Sequence, residues 1–135
     1  MIPKLEDLFV PHHTAVELKR LEFHDPCIAF FWAEKPTFHY TVKYYDHNLL
    51  STRASAPLFD QVIEWLERTH FIAIETALDE TLSWVYRITP TGPGSSIEQA
   101  YESKYVYCGK RKDAVIDAIN HVIILLTNDN GSKQE

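Results

Sequence analysis

Apolar and polar positions alternate cleanly over "TFHYTVKYY", residues 37–45. Phe38, Tyr40, Val42 and Tyr44 fall on one side; His39, Thr41, Lys43 and Tyr45 fall on the other. That period of two predicts a strand with a buried aromatic face. The stretch before it, "CIAFFWA", is apolar on both sides and predicts a fully buried central strand, with "AEKPT" joining the two into a hairpin. "FIAIETA" and "TLSWVYRIT" repeat the arrangement around Leu78-Asp79-Glu80, with Leu82, Trp84, Tyr86 and Ile88 sharing one face.

A helical period follows each hairpin. Leu58, Phe59, Val62, Ile63 and Leu66 form one apolar stripe, in a helix expected to begin at Pro57, which has no N–H to leave unpaired. Ala114, Val115, Ala118, Ile119, Val122, Ile123 and Leu126 form another, expected from Lys110 to Thr127 with Asn128 capping it and a loose tail over 128–135. Before the first hairpin, Thr14-Ala15-Val16-Glu17 has the form of a capping box, with Val10 as a hydrophobic staple, so a short helix is expected to about Leu21. Glu22 then stands where glycine normally takes the left-handed turn that ends a helix. The expected fold is therefore α+β: a short N-terminal helix, then two ββα units whose strands form one four-stranded, largely antiparallel sheet with helices on one face. Residues 90–105 are broken by Pro and Gly, although Ser95-Ser96-Ile97-Glu98 offers a further capping box.

Totals narrow the picture. A chain of 135 residues with 45% hydrophobic content, three Trp, seven Tyr and seven Phe suits one globular domain, spanning 1–135. The net charge of −6 disfavours whole-surface binding to nucleic acid or to an anionic membrane. The longest apolar run, Cys27 to Ala33, is far below the ~20 residues of a membrane span. The first ten residues place Glu6 and Asp7 where a signal peptide needs an apolar run, so an intracellular chain with reduced Cys27 and Cys108 is expected.

Candidate chemistry is sparse. His24-Asp25-Pro26-Cys27 brings together the parts of a thiol centre, but Cys27 opens the most apolar strand and Asp-Pro is ordinary turn chemistry. The expected reading is a turn followed by a buried thiol. Seven histidines, His12, His13 and His24 among them, lack the short fixed spacing of zinc ligands, so neither a metal nor a cofactor is expected. Lys110, Arg111 and Lys112 cluster at a helix start whose dipole favours anions, which makes them a weak candidate for binding a phosphate, a nucleotide or an acidic partner, with 90–105 as a lid. Nucleotide-binding and hydrolase motifs are missing. Phe31, Trp84 and Tyr86 are the candidates for an exposed interaction patch.

Two stretches carry a resemblance. "VPHHTAVELKRLEFHDPC" and "APLFDQVIEWLERTHFIAIE" are similar to a group of small hypothetical proteins of phage and prophage genomes. Those proteins carry Ala-x-x-Leu-Lys-x-Leu-Gly-Phe-x-x-Pro-Cys, matched here by Ala15, Leu18, Lys19, Leu21, Phe23, Pro26 and Cys27. They also carry Ala-Pro-x-x-x-Gln-x-x-x-Trp-Leu/Phe-Arg, matched by Ala56, Pro57, Gln61, Trp65, Leu66 and Arg68. Glu22 departs from the family glycine, which implies either a non-glycine residue in a left-handed state or a differently built helix end. The resemblance implies an origin, the cytoplasm of a bacterial host, and no mechanism. The leading expectation is an accessory protein that binds another protein or a second copy of itself; the alternative is the anion site at Lys110, Arg111 and Lys112.

Overall fold

The computed structural model describes residues 4–104, 106–107 and 110–132. The chain divides into two compact units, Met1–Val62 and Ile63–Glu135, with the division inside the second helix. The fold is α+β, with three α-helices and two separate three-stranded antiparallel sheets. Among the described residues no helix is long and apolar enough to cross a membrane.

In the first unit, a 3-10 turn at Leu5–Leu8 leads to α1 (His12–Arg20). The cap of α1 is Pro11, whose carbonyl accepts from Ala15 N–H at 2.9 Å, and not Thr14 as the Thr14/Glu17 pattern suggested. Thr14 instead sits inside the first turn and is buried. At the other end, Glu22 adopts φ 66°. Its N–H donates to the Lys19 carbonyl and Phe23 N–H to the Leu18 carbonyl, which is the Schellman closure with glutamate in the glycine position. The left-handed alternative anticipated for Glu22 is thus the one adopted.

Strand β1 (Cys27–Trp32) is central, between β2 (Lys35–Tyr45) and β3 (Arg53–Ser55). The expected single four-stranded sheet does not form. After β2 the chain makes a 3-10 turn at His47–Leu49, and β3 returns to the free edge of β1, pairing Phe30 with Ser55 and Trp32 with Arg53. A strand that is apolar on both faces thereby gains its second neighbour locally. Asn48 holds this return: its amide donates to the Phe23 carbonyl at 2.7 Å, and its side-chain oxygen accepts from Ser55 N–H at 2.8 Å. Lys19 adds a second tie, donating to the Leu50 and Arg53 carbonyls.

Helix α2 (Phe59–His70) starts two residues later than Pro57. The Pro57 carbonyl accepts from Val10 N–H and Leu58 bridges Phe9, so the chain is still extended there; Gln61 then reaches back to Leu58 N–H at 2.9 Å.

The second unit pairs β4 (Ile72–Leu78) with β5 (Trp84–Pro90), and β5 with the short β6 (Tyr101–Glu102). The hairpin turns on Asp79, whose carboxylate accepts from Thr81 N–H, Thr81 hydroxyl and Ser83 N–H. These bonds to the charged form hold its pKa below the usual carboxylate range. Ser95 accepts from Ile97 N–H but starts no helical turn, so the second expected capping box is a loop. Helix α3 (Arg111–Ser132) packs on β4 and β5 and runs past Asn128; residues 133–135 of the expected tail lie outside the described residues. All seven residues of its anticipated stripe, Ala114 to Leu126, are buried.

Candidate functional site

Cys27 is fully buried, and burial pushes its thiol up to about 12, so no thiolate forms near neutral pH. His24 turns away from it. One ring N–H donates to Glu22 at 3.1 Å and the other to Asp46 at 2.9 Å. These two carboxylates, Glu22 first, raise the imidazole pKa. The helix ends at Leu21 and Glu22, residues 23–26 are an irregular link, and Cys27 opens β1 as a buried thiol. Among the described residues, no group of three His, Cys, Asp or Glu side chains could hold a metal ion; Cys108 lies outside them.

The three basic residues lie at the start of α3, Lys112 in its first turn. Lys110 precedes α3 and is exposed, and Arg111 turns onto β4 to donate to the Thr76 hydroxyl at 2.9 Å. Phe31 and Tyr86, expected as interface candidates, are core residues with 1% and 8% exposure, and Trp84 is half-buried. Tyr86 is engaged within its unit, hydrogen-bonded to His121 at 2.9 Å. Burial, more than the nearby Lys104, keeps the His121 pKa low.

Exposed apolar side chains are found in both units, Leu82 at 76% among them, and several lie on the strand expected to bury its aromatic face. Along β2, Phe38 packs against Phe9 and Phe31, with ring centres at 5.1 and 5.6 Å. Beyond it the register slips: Tyr40 opposes Ala29, but the next pair is Tyr45 with Cys27. The extra residues of β2 bulge out, and Val42 takes φ 68°. A β-branched residue resists that left-handed region more than most. Thr41 secures the bulge, its hydroxyl lying 2.9 Å from the Ile28 carbonyl and 3.0 Å from that of Lys43. Tyr40, Val42, Tyr44 and Tyr45 are 46%, 71%, 66% and 45% exposed, correcting the buried face anticipated for Tyr40, Val42 and Tyr44. β2 carries Lys35 and Lys43 and no carboxylate.

Behind the bulge, a cluster of rings stiffens the sheet. Phe30 is stacked on His39 at 5.1 Å, tilted against His47 at 4.7 Å and edge-on to Trp32 at 5.3 Å. The Arg53 guanidinium lies 4.2 Å over Phe30 and donates to His47 Nδ1 at 3.3 Å. Burial first, and then the Arg53 charge, lowers the His47 pKa, so it stays neutral. The Cys27 carbonyl favours its charged form, short of a hydrogen bond of good geometry. Nothing in the residue pattern of 46–56 marks this cluster beforehand. An Arg-Ala-Ser tripeptide reads as a loop, and its place beside β1 depends on long-range pairing.

No protein-family model matches the chain, and neither a curated protein nor a solved structure matches it.

Proposed function

We propose that the chain is a phage-type accessory protein of the bacterial cytoplasm that works by binding another protein, through the bulged end of β2. One observation carries this reading: Tyr40, Val42, Tyr44 and Tyr45 are all exposed along β2, and the bulge that follows Tyr40 holds Val42 in a left-handed state. Strain of this kind costs about 1–3 kcal/mol and persists where the surrounding structure enforces it, commonly at binding surfaces. Tyrosine suits such a surface, with a rigid apolar body and a hydroxyl at its tip. Lys43, among the exposed tyrosines in a chain of charge −6, favours an acidic partner. The phage and prophage origin rests on the two matched motifs.

Docking is by side chains and not by strand addition. Pro36 within β2 and the bulge beyond it both spoil the edge for another strand. The test separates function from folding. Val42→Gly should raise unfolding stability by about 1 kcal/mol, because glycine accepts the left-handed state. Tyr40→Ala/Tyr44→Ala should leave stability within about 1 kcal/mol. Quantitative pull-downs from the host should lose the same specific protein with the double tyrosine variant. A partner retained at full strength by that variant overturns the reading.

A further inference from the structure

A second surface of the first unit lies at the end of β1. There Trp32, Ala33, Glu34, Lys35, Thr37, Ser51 and Thr52 line an open hollow of about 660 Å³. Ligand sites commonly span roughly 300–1,000 Å³. Three segments meet in it: the last residue of β1, the start of β2 and the loop before β3. Ala33 N–H donates to the Thr52 carbonyl at 2.9 Å, tying two sides of the rim together.

Trp32 is the only aromatic side chain in this lining, and it is oriented in advance. Phe30 and His39 meet its ring nearly perpendicular at 5.3 and 5.2 Å, Arg53 lies 5.7 Å from the ring centre, and His12 donates to its carbonyl. The indole is nevertheless only half-buried. The lining residues besides Trp32 include Thr37, Ser51 and Thr52, which carry hydroxyls, one lysine and one glutamate.

We infer that this hollow binds a sugar ring, with Trp32 as the stacking wall and Thr37, Ser51 and Thr52 as partners for its hydroxyl groups. A pyranose has an apolar C–H face that matches an indole, and a rim of hydroxyls that both donate and accept. Ser and Thr side chains also do both, Lys35 donates and Glu34 accepts. Lys35 and Glu34 cancel in charge, which suits a neutral ligand. A nucleotide phosphate needs several convergent cations, whereas the lining supplies Lys35 alone; Arg53 is engaged with Phe30 and His47. An apolar ligand needs enclosing apolar walls, whereas this hollow is open and five of its seven lining residues have polar side chains.

The full chain, labelled with nitrogen-15, is titrated with N-acetylglucosamine and with maltotriose, and a glycan array is probed with the same chain. Saturable amide shifts confined to residues 32–37 and 51–53 are expected from at least one sugar, accompanied by a change in tryptophan fluorescence that Trp32→Leu removes. Because Trp32→Leu can disturb the ring cluster, Ser51→Ala/Thr52→Val is the second variant. It should weaken the sugar about fivefold to tenfold with an unchanged urea midpoint. No saturable shift and no array signal overturns the assignment. So does saturation of these amides by ATP with neither sugar acting.

Discussion

In the first unit, β1 and β2 lose register twice, between Cys27 and Ala29 and again between Phe31 and Trp32. In the second, β4 and β5 pair without interruption from Ile72↔Pro90 to Leu78↔Trp84. Both hairpins show the same period of two in their residues, and the regular one keeps its faces within the paired strands. Leu82, given the same face as Tyr86 and Ile88, nevertheless precedes β5 and is 76% exposed, and Trp84 is half-buried. Tyr86 and Ile88 are buried as their alternation implies, and the opposite face carries Glu75, Arg87 and Glu102 side by side in register. On β2 the pairing stays regular from Phe38 through Tyr40, yet Tyr40 is already exposed; beyond it the bulge changes which way Val42, Tyr44 and Tyr45 point. Alternation says which residues share a face while the ladder is unbroken, but not that the face is covered, as Tyr40 shows. Where the ladder breaks, even the sharing of a face is lost.

The largest test of that contrast compares two truncations on paired strands. Phe31→Ala should lower stability by about 3–5 kcal/mol, since it empties a fully enclosed site. The Tyr40→Ala truncation alone should stay within about 1 kcal/mol, although the residue pattern gives both positions to a core. Urea midpoints of the two variants, read with the wild-type slope, decide it. Equal losses would mean that the Tyr40 side chain is enclosed in solution.

A second test sets buried against exposed imidazoles. His47, His70 and His121 have pKa values lowered chiefly by burial, so the folded state resists their protonation. The unfolded chain takes up those protons near pH 6.5, and stability should therefore fall as pH drops below that value. His24 works in the opposite sense. Its raised pKa adds stability below about pH 6.5, which is lost as pH rises through its folded value. His24→Ala should accordingly steepen the acid loss, measured as urea midpoints at pH 7.5 and pH 5. A flatter acid limb in the variant would contradict this assignment.

The smallest effect belongs to the regular sheet's open face. Arg87 donates to Glu102 at 2.8 Å, but both side chains are well exposed. Arg87→Ala should cost less than about 1 kcal/mol, and less still in high salt. A larger or salt-independent cost would mean that this face is covered by a partner.

What was legible in the residues follows the same division. α3 could be read in full on its packed side because a helical stripe depends on local spacing. β1 could be recognised as central because it is apolar on both sides. Even Glu22 could be singled out, since a helix end has a fixed demand for a left-handed residue. β3 could not be found: three residues, Arg53 to Ser55, carry no period, and their place follows from Asn48 and from the need of β1 for a second neighbour. The separation into two sheets is the same kind of fact, set by which edge the chain returns to. The hollow beside Trp32 depends on that return as well, because Ser51 and Thr52 reach it only once β3 is in place.

Pro36 and the bulge at Val42 have a further consequence, for what this chain does when it is crowded. Tyrosine-rich segments with few charges, laid on a straight unpaired strand, are templates for fibrillar stacking. Here one end of β2 lacks an amide hydrogen at Pro36, and the other end is kinked out of line. The exposed tyrosines are thus denied the flat ribbon on which polymerisation begins.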